Sequence, residues 1–348
     1  MDRLQRQDLE YLVVDEFMRD AVSARALASA FELGIVDRLI SQAGCSPVEL
    51  GAGARVDRRG IELLAGLLRG AGVVEHDREE LRLTQRFRSA LRFRDLMEAK
   101  LDFASTVGPD FQGLFSVLLA DPAGFFERAR LFELFSYDRC FDSTPENVAN
   151  TARWMRFTTA LTRYEAAGCI GAFDFSKHRR LLDVGGNSGE FALRVCKAHP
   201  TLRATVLDLP VVCDIGERHL ASEPEAGRIE FARVSRDRHG FPSGFDLVVF
   251  KSMLHDWPDD RMEGFLANAC EALEPGGSLL IFERGPLRLG EEGLPWSQVP
   301  LALFFRSYRE PVEYVRALER AGFGAVQARS VELDMPFMLI SAEKLPAR

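Results

Sequence analysis

The feature that most constrains this chain is a series of short apolar runs that begins near Lys177. "RLLDV", "ATVLDL", "IEFARV", "FDLVVF" and "GSLLIFE" recur with helix-like segments between them. Runs of that length, spaced by helices, are the pattern of βα units on a mostly parallel sheet. The end of the chain departs from it. "GFGAVQARSVEL" and "PFMLISAEK" are two strand-like runs with no helix between them, so one of the two is expected to run antiparallel.

The first hundred residues read mostly as helix. Ala26, Ala30, Leu33 and Val36 recur at helical spacing. Ser46 reads as an N-cap with Pro47 at the first helical position and Glu49 completing a capping box. A further helix from about Asp57 stops near Gly70 and Gly72. "VVEHDREELRLT" then reads as two short strands around a charged turn. Helices followed by a small hairpin suggest a winged-helix-like module. The two halves of the chain are expected to meet near residues 165–176. Between them phenylalanine is dense: Phe103, Phe111, Phe115, Phe125, Phe126, Phe132, Phe135 and Phe141. Core, subunit interface and aromatic pocket all remain open as readings of these rings.

Bulk properties exclude several classes. The chain has 348 residues, 47% hydrophobic, enough for two domains. Its net charge of -8 argues against a nucleic-acid face. Six cysteines without a CxxC pair read as reduced thiols of a cytoplasmic protein. The N-terminal stretch is charged throughout and no run of about 18 apolar residues occurs, so neither a leader nor a membrane span is expected. Six scattered histidines give no metal cluster.

The stretch "LLDVGGNSG" carries the chemistry. A phosphate loop of the GxxxxGK[ST] kind fails, because no lysine follows Gly189. A dinucleotide loop prefers GxGxxG. Asn187 stands where its second glycine would be, which weakens that reading without removing it. Asp183 tips the balance. It ends the first strand of the sheet, where open α/β sheets bind ligands, and an acid is awkward beside a pyrophosphate. It suits a positively charged ligand such as S-adenosylmethionine (SAM). Asp208 ends the next strand 25 residues later, placed to accept hydrogen bonds from a ribose.

A third motif is "VVFKSMLHDWPDD", Val248 to Asp260. Together with "LLDVGGNSG", "VLDLP", "EPGGSLLIFER" and "EYVRALERAGF" it resembles the SAM-dependent small-molecule O-methyltransferases, which include plant caffeic-acid-type and bacterial natural-product enzymes. The resemblance covers nearly the whole chain. It implies an α/β, Rossmann-like class I methyltransferase domain behind a mainly helical, winged-helix-like dimerisation domain. The expected division is 1–100 for dimerisation, 101–170 for a helical linker contributing to the acceptor pocket, and 171–348 for the SAM-binding domain. It implies a homodimer, a small aromatic acceptor, no nucleic acid and no membrane.

The resemblance also assigns roles. His255 is the general base that takes the proton of an acceptor hydroxyl, a task suited to an imidazole near neutral pH. Glu283 matches the acid that holds the other imidazole nitrogen. Asp256 matches the acid beside the histidine, with a catalytic and a structural role both open. Asp183, Gly185, Gly186, Asp208, Leu209 and Lys251 fall at the cofactor, and Asp237 is the nearest match to an acid that reaches the adenine. Two departures stand out. Tyr308 occupies the place of a second acid beside the base, and Glu310 replaces that acid only by a local shift. Arg306 and Arg309 are more basic than the matching run; ordinary surface arginines and residues that grip a carboxylate or another anion on the acceptor both remain open as readings. Methylation of nitrogen, sulfur or carbon on the same scaffold, or a non-methylating use of the bound cofactor, remains the alternative.

Overall fold

The computed structural model describes residues 6–236, 240–291 and 293–346. The chain forms two compact units, one of Leu9–Leu131 with Leu289–Leu303, the other containing Phe132–Arg288 and Phe304–Arg348. The segment expected as a linker therefore divides at Leu131, and a later stretch returns to the first unit.

In the first unit, four helices lead into a hairpin: Ala21–Glu32, Ile35–Gln42, Pro47–Ala54 and Arg58–Gly70, then β1 (Val74–Asp77) antiparallel to β2 (Glu80–Leu83). Local chemistry sets the boundaries. Asp20 and Asp57 cap helices by accepting from Ser23 N and Gly60 N, both at 2.8 Å. The capping box of Ser46 and Glu49 forms as expected. The long helix Arg94–Ala120 contains Gly108, where a Cβ would stand 3.0 Å from Trp296 Cζ2. That glycine lets the returning segment pack tightly on the helix, and Phe111 meets the same indole edge-on.

The second unit is built on seven strands in the order β5-β4-β3-β6-β7-β9-β8. They are β3 (Arg180–Val184), β4 (Arg203–Asp208), β5 (Ile229–Arg233), β6 (Phe245–Lys251), β7 (Leu273–Arg284), β8 (Phe323–Glu332) and β9 (Pro336–Lys344). β3 to β7 are parallel neighbours. β9 runs antiparallel to both β7 and β8, the reversal expected from the missing helix. The central strands are buried, as parallel sheets covered by helices must be. Leu182, Val248, Phe250, Leu279 and Ile281 join one core with Leu266 and Tyr314 from the helices. Strand order reverses between β3 and β6, so a crevice opens there at the carboxyl ends.

The phenylalanine-rich run divides in the same way. Phe103 and Phe125 are core, whereas Phe115 and Phe126 are exposed. In the second unit Phe135 packs on Trp154 and Phe304.

Candidate active site

Two turns at the carboxyl edge of the sheet carry most of the polar chemistry. The first follows β3. Gly185, Asn187 and Gly189 all take positive φ, which bends the chain sharply into the helix Glu190–Ala198. Gly186 is required by contact instead: a Cβ there would stand 2.6 Å from the Asp183 carboxyl carbon. The turn is tied down by Gly185 N donating to Leu207 O at 2.8 Å and by Thr159 Oγ1 donating to Ser188 Oγ at 2.8 Å.

The two acids of this turn are poorly compensated. Asp183 is fully buried and neither carboxylate oxygen has a hydrogen bond of good geometry. Burial, then the charge of Asp208, pushes its carboxyl up to about 7. Asp208 accepts from Asn187 N at 2.8 Å and Leu209 N at 2.7 Å, one on each oxygen. Burial still pushes it up to about 6 against those amides. Each of its oxygens keeps a lone pair for a further donor.

The second turn follows β6 and brings His255 to the same edge. Glu283, at the end of β7, is wholly buried. Its Oε2 lies 2.7 Å from His255 Nδ1, and its Oε1 accepts from Met253 N and Leu254 N, both at 2.7 Å. One carboxylate thus fixes both the turn and the ring, and leaves Nε2 pointing away. Asp256 Oδ1 lies 3.4 Å from that Nε2. Burial alone would lower the imidazole's pKa; the charges of Glu283 and Asp256 outweigh it and hold it above the ordinary histidine value. Burial would raise Glu283, yet the imidazole and the two amides hold it below the usual carboxylate range.

The remaining expected residues sort by contact. Tyr308 is buried with its ring 5.4 Å from the imidazole, so the place of the second acid holds a phenol beside His255. Glu310 does not replace that acid, because it caps the helix Pro311–Arg320 in a box with Glu313. The Arg309 guanidinium donates to Leu254 O at 3.0 Å, to Trp257 O at 2.5 Å and to Asp259 Oδ1 at 2.9 Å, so in this structure it clamps the histidine turn. Arg306 is exposed and lies over the Phe305 ring. The Lys251 ammonium bonds Thr162 and Glu165, and Arg284 bonds Glu165 and Asp334 in the same buried network, so at the end of β6 it is the backbone of Lys251 that stays available to a ligand. Asp237 lies outside the described residues.

Sequence reading missed three contributors. Glu165 and Arg284 complete that network from a helix and from β7, and only the adjacency of Arg284 to Glu283 hinted at one of them. Tyr137 donates to Asp256 Oδ2 at 2.7 Å from 119 residues away, with no local signal at all. Among the described residues no cluster suits a metal ion.

A doubly wound α/β domain, with a glycine turn at its switch point and a carboxylate-held histidine beside it, is a nucleotide-type binding fold with a titratable imidazole at the same edge. The family model for the O-methyltransferase domain matches residues 122–324. The chain belongs to that family. It is 38% identical over 127 residues to a 3-hydroxy-5-methyl-1-naphthoate 3-O-methyltransferase of Streptomyces sahachiroi, a match covering 36% of either chain. It is 25% identical over 338 residues to acetylserotonin O-methyltransferase of Homo sapiens, 91% of this chain and 93% of that one. The chain spans only 30–49% of the length of five of the curated relatives it matches. The human N-acetylserotonin methyltransferase structure, solved in complex with SAM, superposes with a TM-score of 0.73 over 93% of this chain and 94% of that one at 21% identity. At that identity the likeness speaks for the fold, which is that of the class I methyltransferases.

Proposed function

We propose that this enzyme transfers a methyl group from SAM to a hydroxyl of a small aromatic, natural-product-type molecule, with His255 as general base. The observation that carries the reading is the Glu283–His255 pair, 2.7 Å apart on the same sheet edge as the glycine turn. SAM supplies an electrophilic methyl group when bound. The residues present fit it: Asp183 is a buried acid without a hydrogen bond of good geometry, suited to a cationic ligand, and Asp208 retains acceptor capacity for ribose hydroxyls. Gly185 and Gly186 keep side chains out of the way, and the Leu209 amide orients Asp208.

His255 Nε2 takes the acceptor's proton, and Glu283 stabilises the imidazolium from Nδ1 without taking the proton itself. The relatives' names support an aromatic acceptor, and a naphthoate in one of them supports an anionic one. Arg306, whose side chain is exposed, is then the residue to meet that anion. Exposed Val22, Leu33, Ile40 and Leu63 on the first unit support a homodimer. No helix among the described residues is long and apolar enough to cross a membrane, which agrees with a cytoplasmic enzyme.

The test is direct. SAM is titrated calorimetrically, and radiolabelled methyl transfer is then followed to a panel of phenols, hydroxynaphthoates, amines and thiols. Binding of SAM with label on a hydroxyl is the expected result. Label on nitrogen or sulfur alone, or no SAM binding, overturns the reading. Native mass spectrometry reads the dimer in the same preparation.

A further inference from the structure

Asp256 neighbours the base in sequence, and on its own turn its carboxylate meets His255 Nε2 at 3.4 Å, longer than a good hydrogen bond. About a quarter of its side-chain surface stays open (27%), so it could rotate into solvent. What holds it is the phenol of Tyr137, bonded to Oδ2, while Oδ1 faces His255 Nε2 at 3.4 Å. The Tyr137 ring also stacks on Trp257 at 5.9 Å and 26° and meets Trp154 edge-on.

Tyr137 is itself well fixed. It opens the short 3-10 turn Tyr137–Phe141, which leads toward the helix Pro145–Ala172. Arg236, just after β5, lies 4.3 Å over the Phe141 ring and donates to Asp138 O at 3.3 Å. Ser143 Oγ donates to Asp214 Oδ2 at 2.8 Å on the helix after β4. Cys140 is buried among Trp154, Val211 and Val212. The turn is thus tied to the segments that follow β4, β5 and β6, and β4 and β6 are two of the strands whose ends form the site.

The geometry points to Tyr137 as a positioning residue for the base: acting through Asp256, it sets a second carboxylate at Nε2 opposite the one that Glu283 sets at Nδ1. The imidazole then lies between two negative charges, and the proton that arrives at Nε2 meets a counter-charge already in place. Pre-set charge of this kind costs no reorganisation during the reaction. The inference rests on His255 being the base, but its immediate consequence, the basicity of His255, does not.

Other groups face the ring and must be held constant. Glu283 comes from β7, the Tyr308 ring from the segment before the last helix, and the charge of Arg284 opposes protonation. Arg309 meets the turn's carbonyl groups and not the imidazole. Tyr137→Phe changes none of these and keeps the ring.

The experiment is imidazole NMR titration of the full-length enzyme, with the six histidines labelled and the His255 signal assigned by its loss in His255→Ala. Asp256→Asn is expected to lower the His255 pKa by about one pH unit. Tyr137→Phe should reproduce part of that fall, and the double variant should match Asp256→Asn alone. The acid limb of kcat/KM on any acceptor found should move with the NMR value. SAM affinity, unchanged within about twofold, reports that the fold is intact. An unaltered His255 titration in Tyr137→Phe, or a double variant whose two effects simply add, overturns the proposal. Should Tyr137→Phe not fold, an unaltered titration in Asp256→Asn overturns it equally. If the titrations move as expected but His255→Ala keeps its turnover, the base reading falls and the positioning stands.

Discussion

The two turns at the carboxyl edge solve opposite problems. The turn after β3 holds two acids that the protein leaves under-compensated, Asp183 without a hydrogen bond of good geometry and Asp208 with one amide on each oxygen. The turn after β6 leaves little to chance. Glu283 binds its amides and its imidazole, Arg309 binds its carbonyls, and Tyr137 binds its free carboxylate. The contrast teaches a division of labour. Under the proposed function, the first turn is completed by a cationic ligand, at a cost to the fold, and the second is organised in advance, so that proton transfer needs no rearrangement.

The strongest way to break that comparison is at the base. His255→Ala should lower turnover roughly 10²–10⁴-fold and leave SAM affinity unchanged. Single-turnover methyl transfer and calorimetry check the two halves. If turnover survives, the second turn is scaffolding and the contrast collapses.

Next in size is Glu283→Gln, which removes the charge at Nδ1. His255 is held above the ordinary histidine value chiefly because its two carboxylates outweigh burial. A general base works in its neutral form, so kcat/KM should rise with pH through that raised pKa. Losing Glu283 lowers the pKa, so the acid limb should move to lower pH while the plateau falls with the weaker base. A pH–rate profile in which the limb stays put would show that Glu283 orients the ring without tuning it.

The sheet was legible in the sequence because period and length identify strands, and a missing helix identifies a reversal. Site residues at strand ends were legible for the same reason: Asp183, Asp208, His255 and Glu283 follow apolar runs directly. What escaped was contact between remote segments. Tyr137 sits in an irregular stretch and meets Asp256 only through the fold. Lys251 and Arg309 were noticed as charges, but their partners Glu165 and the carbonyls of Leu254 and Trp257 could not be read from a linear pattern. Long basic side chains reach too far for sequence position to fix what they touch.

At the first turn, Asp208→Ala should weaken SAM binding by about 1–3 kcal/mol for the lost hydrogen bonds. Unchanged calorimetric affinity would place the ribose elsewhere. Asp183→Asn probes the cost to the fold. A folded-state pKa raised to about 7 means that the folded enzyme resists ionisation while the unfolded chain, with an ordinary carboxyl, does not. The acid is therefore harmless at low pH and destabilising as pH rises toward 7. The asparagine variant should melt higher than the parent without SAM, with a gain that grows from about pH 4 to about pH 7 and then levels off. It should also bind SAM more weakly. Melting curves across pH that show no gain would mean that Asp183 is compensated after all, and that the two turns do not differ as argued.

The smallest effect separates clamping from substrate contact at Arg309. Its three acceptors are two turn carbonyls and Asp259, so Arg309→Met should loosen the turn that carries His255. Loosening the base lowers kcat, whereas losing an anion contact raises KM with kcat little changed. The expected result is therefore a fall in kcat of about tenfold with acceptor KM nearly unchanged. Arg306→Met should do the reverse on a carboxylated acceptor and do nothing on a neutral one. If Arg309→Met raised KM selectively for carboxylated acceptors, the guanidinium would have to leave its carbonyls to meet substrate. The second turn would then be completed by its ligand just as the first is.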